Sequence, residues 1–148
     1  MRPATTTPSA TGRRMHGNTV DHVFVSDVRR FRDIPGDGRC RCVATTNVPG
    51  DDAYLKVDYR SLINDTEAVR DNAGLMAIKL LTDLGASKVA LAGFDGYACD
   101  PQENYAEGQV SVITARALTD AINRGMAEVL RSFEGRIEFV TEPVHYRL

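Results

Sequence analysis

From Val20 onward, short apolar runs alternate with longer amphipathic stretches, and the breaks between them are marked by proline, glycine and polar residues. "VDHVFVSD" gathers β-branched and aromatic residues and ends in Ser26 and Asp27, which predicts a first strand. "VRRFRDI" leaves room for about two helical turns before "PGDG" breaks the chain, with Arg29, Arg30 and Arg32 on a solvated face. "CRCVATTNVPG" repeats the arrangement around Val43: Thr45, Thr46 and Asn47 stand at the exit of a second strand, and Pro49-Gly50 is the break. "AYLKVDY" alternates with period two and predicts a short edge strand.

In "RDNAGLMAIKLLTDLGAS", Ala73, Met76, Leu80, Leu81 and Leu84 recur at steps of three and four, the spacing of a helix with one buried face. Asp71 or Asn72 can cap its first turn, and Gly85 suits the left-handed residue just past its end. "KVALAGF" is continuously apolar, which predicts a strand in mid-sheet covered on both faces. "VSVITARALTDAINRGMAEVLRSF" predicts a second long helix whose stripe is Val112 or Ile113, Leu118, Ile122, Val129 and Phe133. Gly125 weakens its middle, Gly135 ends it, and "RIEFVTEP" reads as a last strand.

Alternating strands and helices call for a mostly parallel sheet, because parallel neighbours need crossovers. The expected fold is therefore α/β, a three-layer Rossmann-like sandwich with about four or five strands. There are no internal repeats. Residues 1–14, "MRPATTTPSATGRR", have no large apolar residue after Met1 and are expected as a disordered tail, leaving 15–148 as a single domain. The full 148 residues are enough to bury one ordinary core.

A net charge of −2 without long runs of like charge argues against nucleic acid or an anionic membrane as partner. Neither a membrane-spanning run nor the apolar core of a secretory signal is present, so a cytoplasmic location is expected. Cys40, Cys42 and Cys99 are odd in number and read as reduced thiols. The Cys40/Cys42 pair has no second pair to complete a metal site, and His16, His22 and His145 stand alone, so no metal is expected. Self-association into a homo-oligomer is compatible with the sequence.

Candidate chemistry falls at the strand exits, because ligands in open parallel sheets bind beyond the carboxyl ends of the strands. Ser26 and Asp27, Thr46 and Asn47, and Asp95 with Gly96 occupy such exits, and Asp95 is placed to hold a ribose hydroxyl, a sugar hydroxyl or a metal-bound phosphate. Capping of the local backbone is the competing role for Asp95 and for Asp27. Asn72-Ala73-Gly74 opens the first long helix, where free N–H groups suit phosphate and Gly74 would let a ligand approach the backbone. Tyr97, Glu103, Asn104 and Tyr105 lie in a loop long enough either to close over a ligand or to pack against the sheet.

Taken together, "VFVSDVRRF", "ATTNVP", "DNAGLMAIKLLTDLGASKVALAGFDGY" and "ENY" resemble the C-terminal domain that follows the barrel in bacterial aldolase-like proteins of the HMG-CoA lyase superfamily, of the 4-hydroxy-2-oxovalerate aldolase-like kind. The resemblance spans 20–148 and is strongest over 71–105. More faintly, "NAG" followed by "LGASKVALAGFD" is similar to Rossmann-like transferases, the bacterial sialyltransferases and hydroxymethylpterin pyrophosphokinase-like proteins. The latter similarity implies a nucleotide site at Asn72, Gly74 and Asp95. The chain departs from the aldolase pattern in lacking an H-x-H metal pair and the ~250 residues of a catalytic barrel, so it is not an aldolase on its own. The relatives also begin with an additional strand and turn, where this chain has its low-complexity segment. Two functions follow as expectations. One is a binding module for a nucleotide or phosphorylated metabolite, partnered by a separate aldolase-like barrel protein. The other is a small free-standing transferase that uses a nucleotide-activated substrate. No cofactor is implied by the residues themselves.

Overall fold

The computed structural model describes residues 6–8, 20–28, 41–50, 53–100 and 116–148. The chain divides into two compact units. The first comprises Met1–Ile63 and Asp71–Asp83, the second Asn64–Arg70 and Leu84–Leu148.

The first unit holds a four-stranded sheet of β1 (Thr6–Pro8), β2 (His22–Val25), β3 (Arg41–Thr45) and β4 (Leu55–Val57), in that spatial order. Every neighbouring pair is parallel. β1 lies within the stretch expected as a tail and pairs Thr6 with His22 and Pro8 with Phe24. The short helix α1 (Tyr59–Leu62) follows β4, and α2 (Ala73–Asp83) packs against the sheet.

The strand alternation decides what each face holds. Phe24 and Val43 point to one side, where they meet Leu62, Met76 and Ala77 in a buried cluster. Val23, Val25 and Ala44 point to the other and pack with Val48. Leu75 and Met76 of α2 are fully buried, so the helix is held mainly by its apolar face, as its spacing predicts. Leu84 departs from the expected stripe: it lies past the end of α2 and is exposed. Gly85 has φ +88°, the left-handed conformation expected after the helix.

The second unit contains β5 (Val89–Leu91) and β6 (Ile137–Phe139), which form a parallel pair. It also contains a 3-10 turn (Glu67–Val69) and α3 (Arg116–Arg131). One expectation is corrected here. "KVALAGF" is not the centre of a larger sheet among the described residues: β5 pairs with β6 alone, and Ala90 is exposed. Among the described residues the α/β fold carries two parallel sheets, of four strands and of two, and within β5 Val89 and Leu91 are the buried residues.

α3 is also rotated from its expected register. Leu118 is exposed, while Thr119, Ile122, Asn123, Met126 and Leu130 face inward. Two of those inward residues are polar, which is why an apolar count selects the wrong stripe. Gly125 sits where α3 crosses the 3-10 turn: a Cβ there would come within 3.1 Å of Thr66 Cγ2 and of Val69 Cγ2. Its role is close packing, which offsets its poor helix propensity. The helical turns expected in "VRRFRDI" after Val28, together with Cys40, His16, Glu103, Asn104, Tyr105, Val112 and Ile113, lie outside the described residues.

Candidate functional site

β2, β3 and β4 run parallel, so their exits share one edge of the sheet in the first unit. Ser26 and Asn47 do meet there, as expected: Asn47 Nδ2 donates to the Ser26 carbonyl at 2.9 Å. The other end of the same amide accepts from Thr45 Oγ1 at 2.5 Å. Both polar ends of Asn47 are therefore used to tie two strand exits together. Thr46 Oγ1 accepts from the Tyr59 N–H at 3.1 Å, and Asp58 caps α1 by accepting from the Arg60 N–H at 3.2 Å. Asn72 Oδ1 accepts from the Leu75 N–H at 3.1 Å, which makes it the cap of α2, and Gly74 is buried. Asp27 is partly exposed beside buried Ser26.

The strand order adds a second physical point. Carboxyl-end crevices open where the order of a parallel sheet reverses. Among the described residues the order β1-β2-β3-β4 follows the chain without a reversal.

Asp95, Gly96 and Tyr97 belong to the second unit, in a turn gripped from two directions. The Asp95 carbonyl accepts from the N–H groups of Val144 at 3.1 Å and His145 at 2.8 Å. The Tyr146 hydroxyl donates to the Phe94 carbonyl at 2.6 Å. From α3, Asn123 closes on the backbone of Tyr97: its Oδ1 accepts from the N–H and its Nδ2 donates to the carbonyl, each at 2.8 Å. A side-chain amide thus pairs with a peptide as a neighbouring strand would, which gives both polar ends of a buried side chain a partner.

Gly96, with φ +84°, is the residue that lets the two sides close. A Cβ there would lie 2.7 Å from Asn123 Oδ1 and 2.9 Å from Tyr146 Cδ1. The Asp95 carboxylate takes no hydrogen bond among the described residues. It acts through its charge. Tyr146 holds its proton well above the usual tyrosine range, first because it is buried and second because of the negative charge on Asp95.

Asn123 and Tyr146 also line a groove of about 730 Å³ in the same unit, within the range of ~300–1,000 Å³ common for ligand sites. Arg124, Arg131, Arg147 and His145 are among the residues that line it. Arg131 Nη2 donates to the Arg147 carbonyl at 3.2 Å, and Arg147 Nη1 donates to the Pro143 carbonyl at 2.7 Å. These bonds fix where the two side chains stand while using only part of each guanidinium's five N–H donors. Arg124 makes no hydrogen bond or ion pair among the described residues.

No motif in the sequence marks Asn123, Tyr146 or the groove arginines. Charges four residues apart on a helix look like a solvated face, and His145 stands apart from any motif. The available signal was Thr119 with Asn123, a polar pair at i and i+4 inside what becomes the buried stripe. Among the described residues no group of three or more His, Cys, Asp or Glu side chains is placed to hold a metal ion, and no helix is long and apolar enough to cross a membrane. Comparison with known proteins finds no matching family model, no matching curated protein and no matching solved structure.

Proposed function

We propose that this protein is a binding module for a phosphorylated small molecule, nucleotides included, and that the groove beside α3 holds the ligand. One observation carries the reading: Arg124, Arg131, Arg147 and His145 converge on a groove of about 730 Å³, where guanidinium forks match phosphate geometry. Asp95, Gly96 and Tyr97 support this site indirectly, through the turn that Tyr146 and Asn123 hold. Ser26, Asp27, Asn47, Asn72 and Gly74 serve the first unit as strand ties, strand exit and helix start. The two parallel sheets with their helices are read as parts of a Rossmann-like arrangement. The resemblance to domains that follow aldolase-like barrels supplies the context, a ligand-holding partner for a separate catalytic barrel.

The test is a thermal-shift panel of nucleotides and sugar phosphates on the intact chain and on Arg124→Ala. A ligand at 100 times its Kd adds about 2.7 kcal/mol to stability. At least one compound should raise Tm in the parent. Arg124→Ala should lose that shift with its unliganded Tm unchanged, since Arg124 is exposed and bonds to nothing else described. A panel without any stabilising phosphate compound, or a shift that survives in Arg124→Ala, would overturn the reading.

A further inference from the structure

We infer that the groove selects a phosphate monoester carrying a vicinal diol, the chemistry shared by sugar phosphates and nucleoside monophosphates. This inference rests on the groove being the binding site and deepens that reading. The groove is not uniformly basic: Asp120 and Glu128 line it beside the arginines. Asp120, Arg124 and Glu128 follow one another at i, i+4 and i+8 on α3, so each lies ~6 Å along the helix axis from the next, with a carboxylate on either side of a guanidinium.

All three side chains are exposed and none of them has a hydrogen bond or ion pair among the described residues. Their polar atoms are therefore open to a ligand. A carboxylate only accepts and a guanidinium only donates, so the pair of acids calls for hydroxyl donors on the ligand as firmly as the arginines call for anionic oxygens. A vicinal diol offers two donors to one carboxylate. The same acids repel a ligand that is anionic along its whole length, which disfavours polyphosphates and dicarboxylates. Arg131, held on the Arg147 carbonyl, and Arg147, held on the Pro143 carbonyl, are the fixed end for the phosphate.

The experiment is isothermal titration of the full chain with ribose 5-phosphate, adenosine 5′-monophosphate, its 2′,3′-dideoxy analogue and inorganic phosphate. The titrations are repeated on Asp120→Ala and Glu128→Ala after their unliganded Tm has been checked against the parent. A hydrogen bond to a charged group is worth ~1.5–3 kcal/mol, so at least one of the two diol phosphates should bind about tenfold or more tighter than the dideoxy analogue and inorganic phosphate. Removing either acid should cut that ratio. Binding of ribose 5-phosphate as well as the nucleotide identifies the sugar phosphate as the recognised part, and binding of the nucleotide alone adds a base requirement; both support the inference. Equal binding of the dideoxy analogue, or a ratio unmoved in both acid variants, overturns it and leaves the groove reading standing. No binding of any of the four compounds overturns the inference and, if the wider panel also fails, the groove reading with it.

Discussion

Gly93 and Gly96 both have left-handed backbones, φ +71° and +84°, yet a side chain would meet empty space at the first and Asn123, Tyr146 and His145 at the second. Alanine at Gly93 should cost only the conformational strain, about 1 kcal/mol. Alanine at Gly96 should cost about 1–3 kcal/mol more, because Asn123 and Tyr146 must yield. Denaturant titration of both variants measures the difference, and equal losses would show that the grip on this turn is loose. Tyr146 gives a pH test of the same contact. The folded protein keeps the Tyr146 proton to higher pH than the unfolded chain does, so above pH ~10 the unfolded chain binds fewer protons and stability falls as pH rises. Below that range the contribution is fully present. Tyr146→Phe should lose about 1 kcal/mol at neutral pH with its hydrogen bond to Phe94, and should show a gentler decline above pH ~10. An unchanged decline would mean that another group governs alkaline unfolding.

At the scale of elements, what was legible in the sequence were features set by local spacing. β2, β3, β4 and α2 appear where the alternation, the threes and fours and the Asn72 cap place them, because a strand or helix that buries one face must repeat apolar residues at its own period. α3 was legible as a helix but not in its rotation. Thr119 and Asn123 are polar residues buried on the inward face, and Asn123 finds its partner at Tyr97, 26 residues earlier. β1 was illegible for a related reason: a strand of three residues, "TTP", has no period to read and depends on β2 for its existence. Deleting residues 1–14 removes β1 and opens the edge of β2. Tm should fall, by ~2–4 °C for each kcal/mol lost in a chain of this size. An unchanged Tm would show that the segment behaves as a tail.

For the molecule as a whole, the carboxyl-end rule pointed to the strand exits, and the polar residues it selected are indeed at exits. Several of them hold the first unit together: Asn47 ties two strand exits and Asn72 caps α2. The groove in the second unit was hidden because its arginines and histidine come from a helix and from the C-terminal segment, which no motif links. Location is thus the central claim, and amide chemical-shift mapping tests it most directly. Titration of the isotopically labelled chain with adenosine 5′-monophosphate should move the signals of Arg124, Ala127, Glu128, Arg131 and His145 most. Shifts centred instead on Ser26, Asp27, Asn47 and Asn72 would return the site to the strand exits and contradict the account.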